Sequence, residues 1–203
     1  MRDLETTERT ALSELLDRTG PDHPTLCEGW QTRDLTAHLV LRESRPDAAV
    51  GIVVHKLSGW TQRVQDSLAG GDFRRLVNRL RHGPPAWSLM RVPKLGEALN
   101  NVELFVHHED VRRAQPDWQP RVLDSKTDNL LWQRSRRIAR MVLRSTSGGI
   151  ELVRSDTGER HVARAPEAGQ GTLTLIGTPQ ELLLYLYGRR DHARVECTQT
   201  AAS

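Results

Sequence analysis

The chain has 203 residues, 27% of them charged, and its 29 Lys+Arg against 26 Asp+Glu leave a formal net charge of +3. An excess that small is no nucleic-acid footprint, and the longest apolar stretches, 48–54 and 182–187, fall far short of the ~20 residues of a membrane span. Two cysteines, Cys27 and Cys197, cannot build a disulfide framework, and the polar start Met1-Arg2-Asp3-Leu4-Glu5 has no secretory h-region. The expectation is a cytoplasmic globular protein with no nucleic-acid or membrane partner. No CxxC, GxGxxG or Walker loop and no long repeat occurs.

Leu4, Leu12, Leu15 and Leu16 predict an amphipathic helix over residues 3–18, stopped by Gly20-Pro21. After a loop at 24–30, Thr32 is the expected N-cap of a second helix with Asp34 in its first turn. That helix carries Leu35, His38, Leu39 and Leu41 and fades before Pro46. Residues 47–68 read as a third helix ended by Gly70-Gly71, with 72–80 a shorter continuation. Pro84, Pro85 and Pro93 make a stiff loop around Trp87, and 94–114 is the next helix, stopped before Pro116. A helix follows at 126–144, with Arg136, Arg140 and Arg144 on one ridge and Leu131, Ile138 and Val142 opposite. From Gly148 the pattern changes to short alternating runs. Asp156-Thr157-Gly158 between 150–154 and 160–164 is a hairpin signal; 172–176 is a third strand, 179–187 a short helix and 193–197 a last strand. The fold class is therefore α+β, mainly α, with a helical domain at 1–120 and a small α+β domain at 121–203.

The informative segment is 94–114. On a wheel of 100° per residue with Glu103 at zero, Ala114 falls at about 20°, His107 at about 40°, Asn100 at about 60° and Asp110 at about 340°. Leu99, Val102 and Val106 flank this stripe on one side, Val111 and Leu104 on the other. The opposite face holds Glu97, His108, Asn101, Arg112 and Glu109, with Phe105 the exception; His108, at about 140°, is expected on the outer rim. An acidic and imidazole stripe thus runs down the face that should be buried, where such groups must be paired or metal-bound. Glu103 and His107, one turn apart, can share a cation. His38, between Leu35 and Leu41, faces a helical core from the second helix. His38, Glu103 and His107 together make a His₂Glu set suited to Zn²⁺ first, with Ni²⁺ or another divalent ion as alternatives. Asp110 and Asn100 remain to hold the imidazoles or bound water. The same Glu-x-x-x-His spacing also occurs as a plain structural ion pair.

Leu26-Cys27-Glu28-Gly29-Trp30-Gln31-Thr32-Arg33-Asp34-Leu35-Thr36-Ala37-His38-Leu39 resembles the C-x-G-W-T-x-x-D-L-x-A-H-L segment of mycothiol-dependent maleylpyruvate isomerase-like proteins of the DinB superfamily. The run from Glu103 through His107 and Asp110 to Ala114 is similar to that family's E-x-x-x-H-x-x-D helix. Gly177-Thr178-Pro179-Gln180-Glu181-Leu182 and Leu186-Tyr187-Gly188-Arg189-Arg190 look like its C-terminal element, often compared with sterol-carrier domains. The resemblance covers most of the chain and is weakest at about 45–95. It implies an N-terminal DinB-like four-helix bundle holding a divalent metal through His38, Glu103 and His107, followed by a sterol-carrier-like α+β domain. It also implies a low-molecular-weight thiol as cosubstrate. The His-His-Glu-Asp run departs from the commoner His-Gly-Trp-Asp form and marks a separate subgroup.

Asp110 and Arg42 are the candidate catalytic residues: Asp110 to orient His107 or handle a proton, Arg42, one turn beyond His38, to meet an anionic substrate. Cys27 reads as a packing cysteine with no acid–base partner beside it, and Cys197 as blander still. The arginine ridge reads as a solvated face. His55 reads as filler, and Trp60, Trp87, Trp118 and Trp132 as packing between helices. The expected function is metal- and thiol-dependent S-transfer or isomerisation of a small electrophilic substrate. The alternatives are a metal-stabilised binding module for an apolar ligand or a protein, and, last, a nucleic-acid binder. The oligomeric state stays open, a homodimer among the options.

Overall fold

The computed structural model describes residues 4–44, 58–88 and 93–200. The chain divides into two compact units, 1–119 and 120–203. It is α+β and mainly α, as expected.

In the first unit the described helices are α1 (Leu4–Thr19), α2 (Thr32–Ser44), α3 (Ser58–Ala69), α4 (Phe73–His82) and α5 (Pro93–Arg113). Of the helix expected at 47–68, the part before Ser58 lies outside the described residues, as does His55. α1 packs against α4 and α5, and α2 against α3 and α4. Leu12 and Leu16 of α1, Leu35 and Leu39 of α2, Leu76 and Leu80 of α4 and Leu104 of α5 close one apolar core. Its helix ends follow local chemistry. Asp72 accepts from the Arg75 N–H at the start of α4, and Gly83 takes the positive φ of 75° that ends it. α2 departs from the expected cap. Thr32 is its first residue, with its hydroxyl donating to the Gly20 carbonyl, and Asp34 reaches back to accept the Gln31 N–H at 2.9 Å.

The second unit contains α6 (Ser125–Val142), β1 (Gly149–Arg154), β2 (Arg160–Arg164), β3 (Thr172–Gly177), α7 (Pro179–Leu186) and β4 (Glu196–Gln199), with a 3₁₀ turn at Arg190–His192. The sheet order is β2-β1-β3-β4, with β1 parallel to β3 and the other pairs antiparallel. α6 packs on α7, and Trp132, Ile150, Leu152, Leu175 and Leu182 lie in their common core. The last strand begins later than expected. The Arg194 N–H is taken by Glu181 Oε2 at 2.7 Å and the Val195 N–H by the Ala193 carbonyl. These backbone groups are committed outside the sheet, so pairing starts at Glu196. Trp132 is buried as expected, whereas Trp60 and Trp87 are 48% and 63% exposed. Trp60 lies in the first turn of α3, and Pro84-Pro85 fix the chain before Trp87 in a non-helical turn. The ridge Arg136, Arg140 and Arg144 is exposed; Arg136 stands 3.5 Å from Glu159.

Candidate metal centre

α5 is the charged axis of the first unit. From Val102 to Val111, every residue except Glu103 is buried, so the wheel's single buried face is too simple. His108, expected on the rim, is buried with Nδ1 2.7 Å from Glu8 Oε2 of α1. Glu109, expected on the outer face, is buried between Arg113 Nε at 2.6 Å and Arg112 Nη1 at 2.8 Å. The cause is packing on more than one side. Charges that the wheel sends to solvent meet α1 or their own helix's arginines and are neutralised there.

Against this background His38, Glu103 and His107 converge. Glu103 Oε1 is 3.5 Å from His38 Nε2 and 3.8 Å from His107 Nε2, and the three donor atoms all lie within 4.8 Å of one another. The imidazoles meet edge to face, with centroids 5.5 Å apart. Hydrogen bonds between such groups close to about 2.8 Å, so these atoms stand off from each other. A tetrahedral ion with bonds of about 2.0–2.2 Å separates its ligand atoms by roughly 3.3–3.6 Å. The carboxylate–imidazole spacings fall at and slightly beyond that range, and all three ligand atoms lie within 4.8 Å of one another, so the residues present fit a zinc-class ion once their side chains draw in. The remaining polar atoms are held from behind. Arg42 Nη2 sits 2.5 Å from Glu103 Oε2, and Asp110 Oδ2 sits 2.9 Å from His107 Nδ1.

Electrostatics follow from these contacts. Burial pushes the Glu103 carboxyl up, but His107, His38 and Arg42 outweigh it and bring it down to about 2. Burial opposes a proton on His107, yet Asp110, Cys27 and Glu103 overcome it and hold the imidazole well above its ordinary 6.5. A cation at Nε2 needs the lone pair that this proton uses, so proton and ion compete.

The sequence-predicted triad is therefore brought together. Asp110 is behind His107, as its spacing suggests. Arg42, expected to face a substrate anion, is instead turned onto Glu103. The Asn100 side chain lies outside what the structure describes. Cys27 is the residue that sequence reading missed. Its Sγ is 3.3 Å from Asp110 Oδ2 and 3.9 Å from His107 Nδ1, so it does have acid and base groups beside it. Loops carry no helical period, and the one available signal was the Cys-Glu-Gly-Trp sequence immediately before the His38 helix. Cys197 is exposed, with Sγ 3.6 Å from the Tyr185 hydroxyl. Among the described residues no helix is long and apolar enough to cross a membrane.

No family model and no curated protein matches the chain. Two solved structures share its fold. The crystal structure of a mycothiol-dependent maleylpyruvate isomerase is 14% identical with a TM-score of 0.61, over 96% of this chain and 90% of that one. A histidine-to-alanine variant of mycothiol-dependent maleylpyruvate isomerase is 13% identical with a TM-score of 0.60, over 95% and 90%. At this identity the likeness is one of fold.

Proposed function

We propose that this chain binds one divalent metal ion through His38 Nε2, Glu103 Oε1 and His107 Nε2. We propose further that it works with a low-molecular-weight thiol of the mycothiol kind to isomerise or S-modify a small electrophilic substrate. The observation that carries the reading is the orientation of the triad. Three donor atoms cluster at stand-off distance, while Arg42 and Asp110 meet the other polar atoms of Glu103 and His107. The fold shared with structures described as mycothiol-dependent maleylpyruvate isomerase supports the choice of a thiol and of this reaction class.

Held by His38, Glu103 and His107, a zinc-class ion would supply Lewis acidity, which would favour the thiolate form of a thiol at neutral pH. The protein's own part is to keep the donors in place. Asp110 holds the proton on His107 Nδ1 and so presents Nε2 to the ion. Arg42 neutralises Glu103 Oε2, leaving Oε1 as the ligating oxygen. Both are positioning residues in this reading, with Asp110 also near enough to hold a proton in transit. Metal binding is assigned to the unit of residues 1–119. The absence of a disulfide at Cys27 and Cys197 is compatible with a reducing compartment, and we place the protein in the cytoplasm.

The test is metal analysis of protein purified without a histidine tag, followed by a thiol-dependence screen over activated electrophiles. Wild type is expected to hold one divalent ion per chain, and Glu103→Gln to retain less than about a tenth of it, in line with loss of one of three protein ligands. A wild type without metal, or a variant that keeps its full complement, overturns the proposal. A second reading is a metal-stabilised binding module, favoured by the low exposure of the ligating side chains, 11–25%. It differs in requiring the ion for folding.

A further inference from the structure

The turn that precedes α2 reaches both imidazoles of the proposed centre. It is closed on itself. The Thr25 N–H donates to the Trp30 carbonyl at 3.2 Å, the Trp30 N–H to the Cys27 carbonyl at 2.9 Å, and the Cys27 N–H to Thr25 Oγ1 at 3.2 Å. Gly29 takes a φ of 76°, the left-handed conformation the turn requires. The turn is also tied to α5, where the Leu26 N–H donates to the backbone carbonyl of Asp110 at 3.1 Å. One end then places Cys27 Sγ against Asp110 Oδ2, and the other places the Trp30 ring 5.1 Å from that of His38.

We infer that Cys27 is a positioning residue for His107, acting through Asp110, within a turn that braces both metal-facing imidazoles; the inference rests on the metal reading above. Asp110 Oδ2 receives two donors, His107 Nδ1 at 2.9 Å and Cys27 Sγ at 3.3 Å. The final torsion of an aspartate is broad and two-fold, and a second donor on the same oxygen narrows it. The thiol thus helps to set that torsion, and the oxygen so placed sets the imidazole plane. Nε2 is thereby kept on Glu103 Oε1 and His38 Nε2. The thiol does not face the ion of the triad, although with His107 and Asp110 it forms a second cluster of metal-capable groups. It sits at the Nδ1 edge of the ring, and the metal-facing nitrogen is at the opposite edge. The buried Asp110 carboxylate, with a side chain 0% exposed, has no bulk water to replace a lost donor.

The experiment titrates Co²⁺ alone into the full chain, with chelator competition for affinity and visible absorption for ligand geometry. Wild type, Cys27→Ser and Cys27→Ala are compared. Cys27→Val, which fills the space without the donor, stands beside C27A against a loss of fold. Removing the donor is expected to weaken Co²⁺ about tenfold and shift the visible bands, in the range seen when outer partners of ligating histidines are lost. C27S is expected to restore most of the affinity, and the metal-free variants to stay folded, with C27A and C27V melting somewhat below wild type for the lost donor. Unchanged affinity in C27A and C27V overturns this inference alone. So does a C27S as weak as C27A, or an effect on metal-free melting without one on affinity. Two Co²⁺ per chain with a sulfur-to-cobalt charge-transfer band also overturns it, since Cys27 is then a ligand. A wild type that binds no Co²⁺ overturns both this inference and the metal proposal.

Discussion

His107 and His108 are neighbours in sequence with different duties. His107 Nε2 faces Glu103 and His38, whereas His108 Nδ1 is spent on Glu8 of α1. His107→Gln is therefore expected to lose bound metal. His108→Gln is expected to keep it and to cost about 1–3 kcal/mol of stability, because a buried carboxylate loses a charge-capable partner. Metal analysis and urea denaturation of the two variants check both halves. The wheel places His107, and not His108, on the face of Glu103, and the structure has the same arrangement, because side chains at i and i+4 share a face whatever surrounds the helix. The wheel failed on the environment of His108, since periodicity cannot say how many neighbours a helix has. It also had no purchase on Cys27, whose position depends on a turn closed by Thr25, Gly29 and Trp30.

Among the elements, the entry to β1 is closely constrained by backbone. Gly148 has φ 80°, and a Cβ there would collide with the Gly171 carbonyl oxygen. Gly148→Ala is expected to destabilise the α+β unit by about 1–3 kcal/mol, combining left-handed strain with that clash, as read by thermal melting. The hairpin after β1 carries a pH signature. Arg154 binds Asp156 through Nε at 3.1 Å and Nη2 at 2.6 Å, and this pair holds the Asp156 carboxyl below its ordinary 3.8. A lowered folded pKa means that the unfolded chain takes the proton first on acidification. The stabilisation is then present above the ordinary value and lost as pH falls through the folded one. Asp156→Asn is expected to remove this part of the acid-side loss, about 0.2–1 kcal/mol for a pair whose carboxylate is reached by solvent, in melts taken from pH 5 to pH 2. The Asp156-Thr157-Gly158 turn was legible because its residue types name the turn. The start of β4 was not, because it is set by Glu181, thirteen positions before Arg194.

For the whole molecule, the proposed ion ties stability to its own concentration. A group bound only by the folded state adds about 2.7 kcal/mol at a hundredfold excess over its Kd. Added Zn²⁺ is expected to raise the melting temperature of the wild type and EDTA to lower it, with far-UV circular dichroism largely retained below the transition. The His107→Gln protein is expected to respond to neither. Collapse of the helical signal on chelation would favour the binding-module reading. The mainly helical α+β class was legible from a shift in periodicity near Gly148, since helices and strands repeat apolar residues at different intervals. What no pattern announced is how many charges α5 carries inward. Of these, Glu103 meets Arg42 and His38 of α2, and His108 meets Glu8 of α1, while the His107–Asp110 and Glu109–Arg113 pairs lie along α5 and turn with it. Rolling that rod by a single position would strand the two contacts to other helices at once, so they act as an index mark for its rotation. Apolar substitutes for the His108–Glu8 pair would hold the helix as firmly, but with less to tell it which way to face.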